Sequence, residues 1–143
     1  MAMSRGAVHL DFEVVDGKPA FCLPQSDDNG DDPVPLGRFG VSRATGVASP
    51  DVTYWEAVVP ASAQPAYLKR GECLVYGQTV AGALVETPAK PLDVNKFYSA
   101  AIIPAGETGR VYSAGFCVLR EANGAIRITQ STKERNPCGS LEY

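Results

Sequence analysis

The sequence predicts an all-β domain, an antiparallel β-sandwich of about seven to eight strands. Three observations carry this. Glycine and proline, 14 and 11 of the 143 residues, are spread throughout and leave few uninterrupted stretches long enough for helices. The stretches between them are rich in Val, Ile, Tyr, Phe and Thr, which suit a pleated, half-buried surface. Asp16-Gly17 and Asn123-Gly124 each separate two such stretches, and these dipeptides favour tight hairpins. No internal repeat, linker or low-complexity tract divides the chain, so 1–143 reads as one domain.

The first strand is expected over residues 7–15. Val8, Leu10, Phe12 and Val14 alternate there with His9, Asp11 and Glu13, which sends the apolar set to one face and the polar set to water. Asp16-Gly17 then returns the chain through a strand over 19–23. Residues 25–35, with Asp27, Asp28, Asn29, Gly30, Asp31 and Asp32, read as an exposed loop. A short strand over 39–43 and a firmer one over 52–59 follow. In the latter, Tyr54, Glu56 and Val58 lie opposite Thr53, Trp55, Ala57 and Val59.

Between Tyr67 and Leu84 the pattern is ambiguous. Residues 73–76 fit a strand or a turn, and 66–69 fit a short helix. Strands are expected over 97–103 and 110–120, joined by a turn over 104–109, and the Asn123-Gly124 hairpin returns through 126–130. Residues 131–143 read as a polar tail pinned by Cys138. Residues 1–6, beginning Met1-Ala2-Met3, read as an added start or the remnant of a lipoprotein linker.

Within 91–100, a leucine and a short polar turn precede Tyr98-x-Ala100-x-Ile102. This is similar to the turn entering a late strand of immunoglobulin and fibronectin type III sandwiches, where a tyrosine hydroxyl bonds back across the corner. Tyr98 is the candidate for that part, with an ordinary core tyrosine as the alternative. The expected sandwich is accordingly immunoglobulin/fibronectin III-like.

Composition excludes several functions. A net charge of −3, with no basic block beyond Lys69-Arg70, does not fit a nucleic-acid binder. No apolar run approaches the roughly 18 residues of a membrane-spanning helix. The four cysteines, Cys22, Cys73, Cys117 and Cys138, lack the short spacing of a zinc site, and the chain has one histidine. Two disulfides in an oxidising compartment account better for them than four reduced core thiols. Three pairings are open; any of them closes a long loop and adds about 2–4 kcal/mol.

No catalytic constellation is expected from the residues. A nucleophile–base site would have to use His9, which lies on the polar face of the first strand and reads as a solvated imidazole. Asp11 and Glu13 share a strand face roughly 7 Å apart by strand rise, but on the same outward surface. The acidic loop lacks the spacing of a calcium loop. No catalytic residue, metal or cofactor is assigned. Candidate partner contacts are Asp27, Asp28, Asp31 and Asp32, and also Trp55, for which a core position is the stronger reading.

Four segments carry a further likeness: residues 14–23 (Val-Val-Asp-Gly-Lys-Pro-Ala-Phe-Cys-Leu), 71–77 (Gly-Glu-Cys-Leu-Val-Tyr-Gly), Tyr98 entering its strand, and 112–120 (Tyr-Ser-Ala-Gly-Phe-Cys-Val-Leu-Arg). Together, over about residues 7–130, this order resembles the family of small periplasmic lipoproteins proposed as type VI secretion immunity proteins. The resemblance implies an exported chain anchored by a lipid on an N-terminal cysteine missing from this sequence. It also implies a cognate toxic effector as partner, expected to be a periplasmic lipase or phospholipase. It transfers no binding-site positions. The expected function is therefore that of a non-enzymatic immunity protein that occludes its effector's active site. The alternative is an exported carbohydrate- or surface-binding sandwich module.

Overall fold

The computed structural model describes residues 8–26, 30–43, 51–106 and 110–130. Among them there is no helix. There are eight strands of four residues or more and three shorter ones. In chain order they are β1 (Val8–His9), β2 (Asp11–Val15), β3 (Lys18–Cys22), β4 (Val34–Arg43), β5 (Val52–Val58), β6 (Tyr67–Leu68), β7 (Cys73–Val75), β8 (Leu84–Thr87), β9 (Phe97–Pro104), β10 (Tyr112–Arg120) and β11 (Ile126–Gln130). The chain is all-β, and its two sheets form a sandwich.

The larger sheet has the order β1-β10-β9-β4-β5-β8, with β11 also on β10 and β6 also on β4. The smaller sheet is β2-β3-β7. All pairings are antiparallel except β1 with β10. The sheets meet through an aromatic core. Trp55 of the large sheet lies edge-on to Phe21 of the small one, at 6.1 Å between ring centroids, and also contacts Phe39 and Tyr76 at 5.4 and 5.5 Å. Phe12 meets Phe116 across the same interior at 4.8 Å. Such tilted and edge contacts add to the burial of the rings themselves.

Several elements follow the sequence closely. At the first hairpin Asp16 and Gly17 both take positive φ, 50° and 76°, as the primed two-residue turns require. The return strand β11 has the expected bounds. The segment over 7–15, however, is not one strand. Val8–His9 adds to the large sheet beside β10, Leu10 is wholly buried, and Asp11–Val15 continues in the small sheet. Alternation persists through the crossing because Leu10 points inward where the chain passes from one sheet to the other.

Three further expectations are corrected. Residues 66–69 form no helix; Tyr67–Leu68 pairs instead with Val34 and Pro35 of β4. The strand expected over 39–43 begins five residues earlier, at Val34, which shortens the preceding loop. Strict alternation fails in β5, where Tyr54 and Trp55 are both buried. Val41 pairs with Trp55 but Ser42 pairs with Thr53, so Tyr54 is the extra residue of a bulge. A bulge sets two residues against one and breaks the period of two. A second bulge sits at Gly37, between Leu36 and Arg38, where an added Cβ would lie 2.9 Å from the Ile103 carbonyl oxygen.

Cys22 and Cys73 are direct partners in the β3–β7 pairing and form a disulfide. Cys117 is disulfide-bonded as well. Cys138 and the tail 131–143 lie outside them, as do residues 1–7.

Candidate functional site

The corner before β9 gathers several polar side chains and backbone groups. The Asp93 amide donates to the Tyr98 hydroxyl at 2.8 Å, and that hydroxyl lies 3.3 Å from the Asp93 carbonyl oxygen. Asn95 turns the chain with φ 64°. The Asp93 carboxylate accepts from the Tyr54 hydroxyl at 3.1 Å and faces the Arg43 guanidinium at 3.5 Å. The bulge in β5 is what turns Tyr54 toward this corner. Burial pushes the Tyr98 hydroxyl up to about 12, against the partial relief of its backbone bond. Burial raises Tyr76 too, whose hydroxyl lies 2.7 Å from the Lys90 carbonyl oxygen and 3.1 Å from that of Tyr54. Both hydroxyls are bonded to backbone groups and brace this corner.

The residues considered for catalysis are dispersed. His9 is exposed on β1, with Nε2 3.3 Å from the Gln130 side-chain oxygen. Asp11 and Glu13 are exposed on β2, in the other sheet. Among the described residues, only Glu13, Cys22 and Cys73 gather as possible metal ligands. Both sulfurs are committed to the disulfide, which leaves one carboxylate and no metal site.

Of the candidate partner contacts, Asp31 and Asp32 are exposed, and Asp27 and Asp28 lie outside the described residues. The end of this loop is tied down where Arg70 Nε donates to the Asp32 carbonyl oxygen at 2.7 Å. Trp55 is different. It is 1% exposed at the centre of the core and offers no surface to a partner. It takes the core position because β5 is an interior strand whose inner face meets Phe21 of the opposing sheet.

A surface missed in the sequence is the outer face of the large sheet. Leu84 pairs with Val58, Val58 with Arg38, and Arg38 with Ile103, so these four residues form one row across β8, β5, β4 and β9. Leu84 and Ile103 are 59% and 41% exposed. The one cation in the row is paired locally with two carboxylates. Arg38 Nη1 lies 3.0 Å from a Glu56 carboxylate oxygen and 2.7 Å from one of Glu86. Glu86 reaches it because β8 is itself bulged there, with Glu56 opposite Thr87 but Ala57 opposite Val85. Below the row the face is paved with small residues, Gly40, Ser42, Thr53, Ser99 and Ala101, which line a shallow depression of about 120 Å³. No local sequence signal could reveal this row, because its members are neighbours only through strand pairing.

Comparison of the chain with protein-family models, with curated proteins and with solved structures finds no match.

Proposed function

We propose that this chain is an exported binding protein of the immunity type, which holds and inhibits a toxic effector, a lipase or phospholipase by the resemblance of its sequence. The observation that carries the binding role is the row Leu84–Val58–Arg38–Ile103, in which exposed Leu84 and Ile103 flank a cation already paired with carboxylates. An exposed apolar patch with little net charge is the usual core of a protein interface. The Cys22–Cys73 disulfide is compatible with an oxidising compartment. The exposed Asp31 and Asp32 supply acidic charge that steers association with a basic cleft.

The alternative, a carbohydrate-binding module, draws less support. Stacking on sugar rings needs exposed aromatics along one face. Among the described residues, Tyr67 is the only aromatic in the set of exposed large hydrophobics.

The test is capture under oxidising conditions with the purified chain as bait, then assay of the captured protein. The proposal expects an exported hydrolase whose activity falls in proportion to the chain added. It also expects His9→Ala to inhibit as well as the wild type. Capture of glycan polymer alone, or a hydrolase left fully active when saturated with the chain, would overturn it.

A further inference from the structure

A groove of about 400 Å³ lies at one end of the sandwich, away from the apolar row of the outer sheet face. Its walls come from the β2–β3 turn, the segment 89–94, and the ends of β10 and β11. Apolar side chains make up part of its floor: Pro19 and Val118 are buried there, with Leu92, Val94 and Ile126 half-buried beside them. Three exposed cations, Lys18, Lys90 and Arg120, stand around it, and none of its lining residues is acidic. This concentration of positive charge falls on a chain whose net charge is −3.

The cations are not consumed by internal ion pairs. Among the described residues neither Lys18 nor Lys90 faces a carboxylate; the Lys90 ammonium lies 5.6 Å from the centroid of the Tyr54 ring. Arg120 donates from Nη1 to the Gly124 carbonyl oxygen at 3.1 Å, which uses one of the five N–H groups of a guanidinium. The walls are built rather than accidental. Tyr76 holds the Lys90 carbonyl, Tyr98 holds Asp93, and the Asn95 amide donates to the Val118 carbonyl at 2.7 Å. The segment carrying Leu92 and Val94 is thereby pinned at three points to the rest of the domain. On the facing side the Tyr76 amide donates to the Pro19 carbonyl at 2.9 Å.

We propose that this groove binds a single-chain carboxylate amphiphile, a fatty acid. Its carboxylate meets Lys18 and Arg120 at the rim, and its chain lies along Leu92, Val94, Val118 and Ile126. A small inorganic anion would satisfy the cations but leave the apolar floor wet. An uncharged hydrocarbon would bury the floor but leave the cations without a partner. The volume is in the range of small-molecule sites, about 300–1,000 Å³.

The inference is independent of the immunity reading, and its test uses the purified chain alone. Dodecanoate below its micellar concentration is titrated by calorimetry and by amide chemical shifts, with dodecyl maltoside as a control of equal chain length and no charge. One-to-one binding of dodecanoate is expected, with shifts centred on Val94, Val118 and Ile126. Affinity should fall by about tenfold or more in Lys18→Glu/Arg120→Glu and by less in Lys18→Gln/Arg120→Gln. Both substitutions are at exposed positions, and an unchanged unfolding transition confirms the fold. Equal binding of the two amphiphiles, indifference to charge reversal, or no saturable binding of dodecanoate each overturns the proposal.

Discussion

The Tyr98 hydroxyl lies 2.8 Å from the amide nitrogen and 3.3 Å from the carbonyl oxygen of Asp93, five residues upstream, so one side chain serves both backbone groups of the corner. The Tyr98 ring is wholly buried, stacked on Phe116 at 5.6 Å and edge-on to Tyr54 at 5.3 Å. Core packing and corner geometry are therefore fastened by the same residue.

Tyr98→Phe keeps the ring and removes the bond. The Asp93 amide and carbonyl then lose their partner, at a cost of about 1–3 kcal/mol. Urea unfolding should show a lower midpoint with an unchanged slope. A stability within experimental error of the wild type would mean that water or another group replaces the hydroxyl without loss.

Raised tyrosine values make the fold sensitive to alkali. Burial pushes the Tyr98 hydroxyl from an ordinary 10.0 up to about 12, and it raises Tyr76 in the same direction. The folded state holds these protons when the unfolded chain has begun to lose them. This contribution to stability is thus fully present below pH 10 and is lost as pH rises toward 12. Spectrophotometric titration should show some of the 6 tyrosines ionising normally and the buried ones only together with unfolding. Simultaneous ionisation of all of them near pH 10, with the fold intact, would contradict this.

The Cys22–Cys73 disulfide joins strands separated by 51 residues in sequence. Closing a loop of that length restricts the unfolded chain, and Cys22→Ala/Cys73→Ala should cost about 2–4 kcal/mol. The β3–β7 pairing should be the first to lose amide-exchange protection. Uniform loss across both sheets would argue that the small sheet does not open separately.

Gly40 is needed for space, not for an unusual backbone angle. A Cβ there would collide with the Trp55 carbonyl oxygen of the adjoining strand. Gly40→Ala should therefore force β4 and β5 apart and cost about 1–3 kcal/mol. Gly30→Ala is the control, since a Cβ there meets nothing within 4 Å and only the positive φ of 101° opposes it.

Two surface sets should separate attraction from holding in partner binding. Replacing Asp27, Asp28, Asp31 and Asp32 with Asn should slow association and flatten its salt dependence. Leu84→Asp with Ile103→Asp should instead speed dissociation, lowering affinity by about tenfold or more. Surface plasmon resonance on the captured partner reads both. Wild-type rates at low salt in the Asn variant would make the loop a bystander.

What the sequence alone determined is what depends on neighbours a few residues apart. The Asp16-Gly17 hairpin, β9, β10 and the return strand β11 were legible because turn chemistry and alternation act locally, whereas the corner at Tyr98 was suggested by its likeness to the turn entering a late sandwich strand, with a plain core tyrosine as the alternative. The tertiary structure decided whatever depends on a partner far along the chain. Leu10 carries the chain between sheets because β10 and β3, more than 90 and about 10 residues away, claim opposite sides of it. Tyr54 is buried beside Trp55 because β4 pairs around it, and a period of two cannot register a bulge set by the neighbouring strand. The pairing of Cys22 with Cys73 was one of three the sequence left open, and the β3–β7 register selected it. The apolar row and the cationic groove are of the same kind. Each gathers residues from at least three strands or turns, and such a surface exists only once the chain has folded.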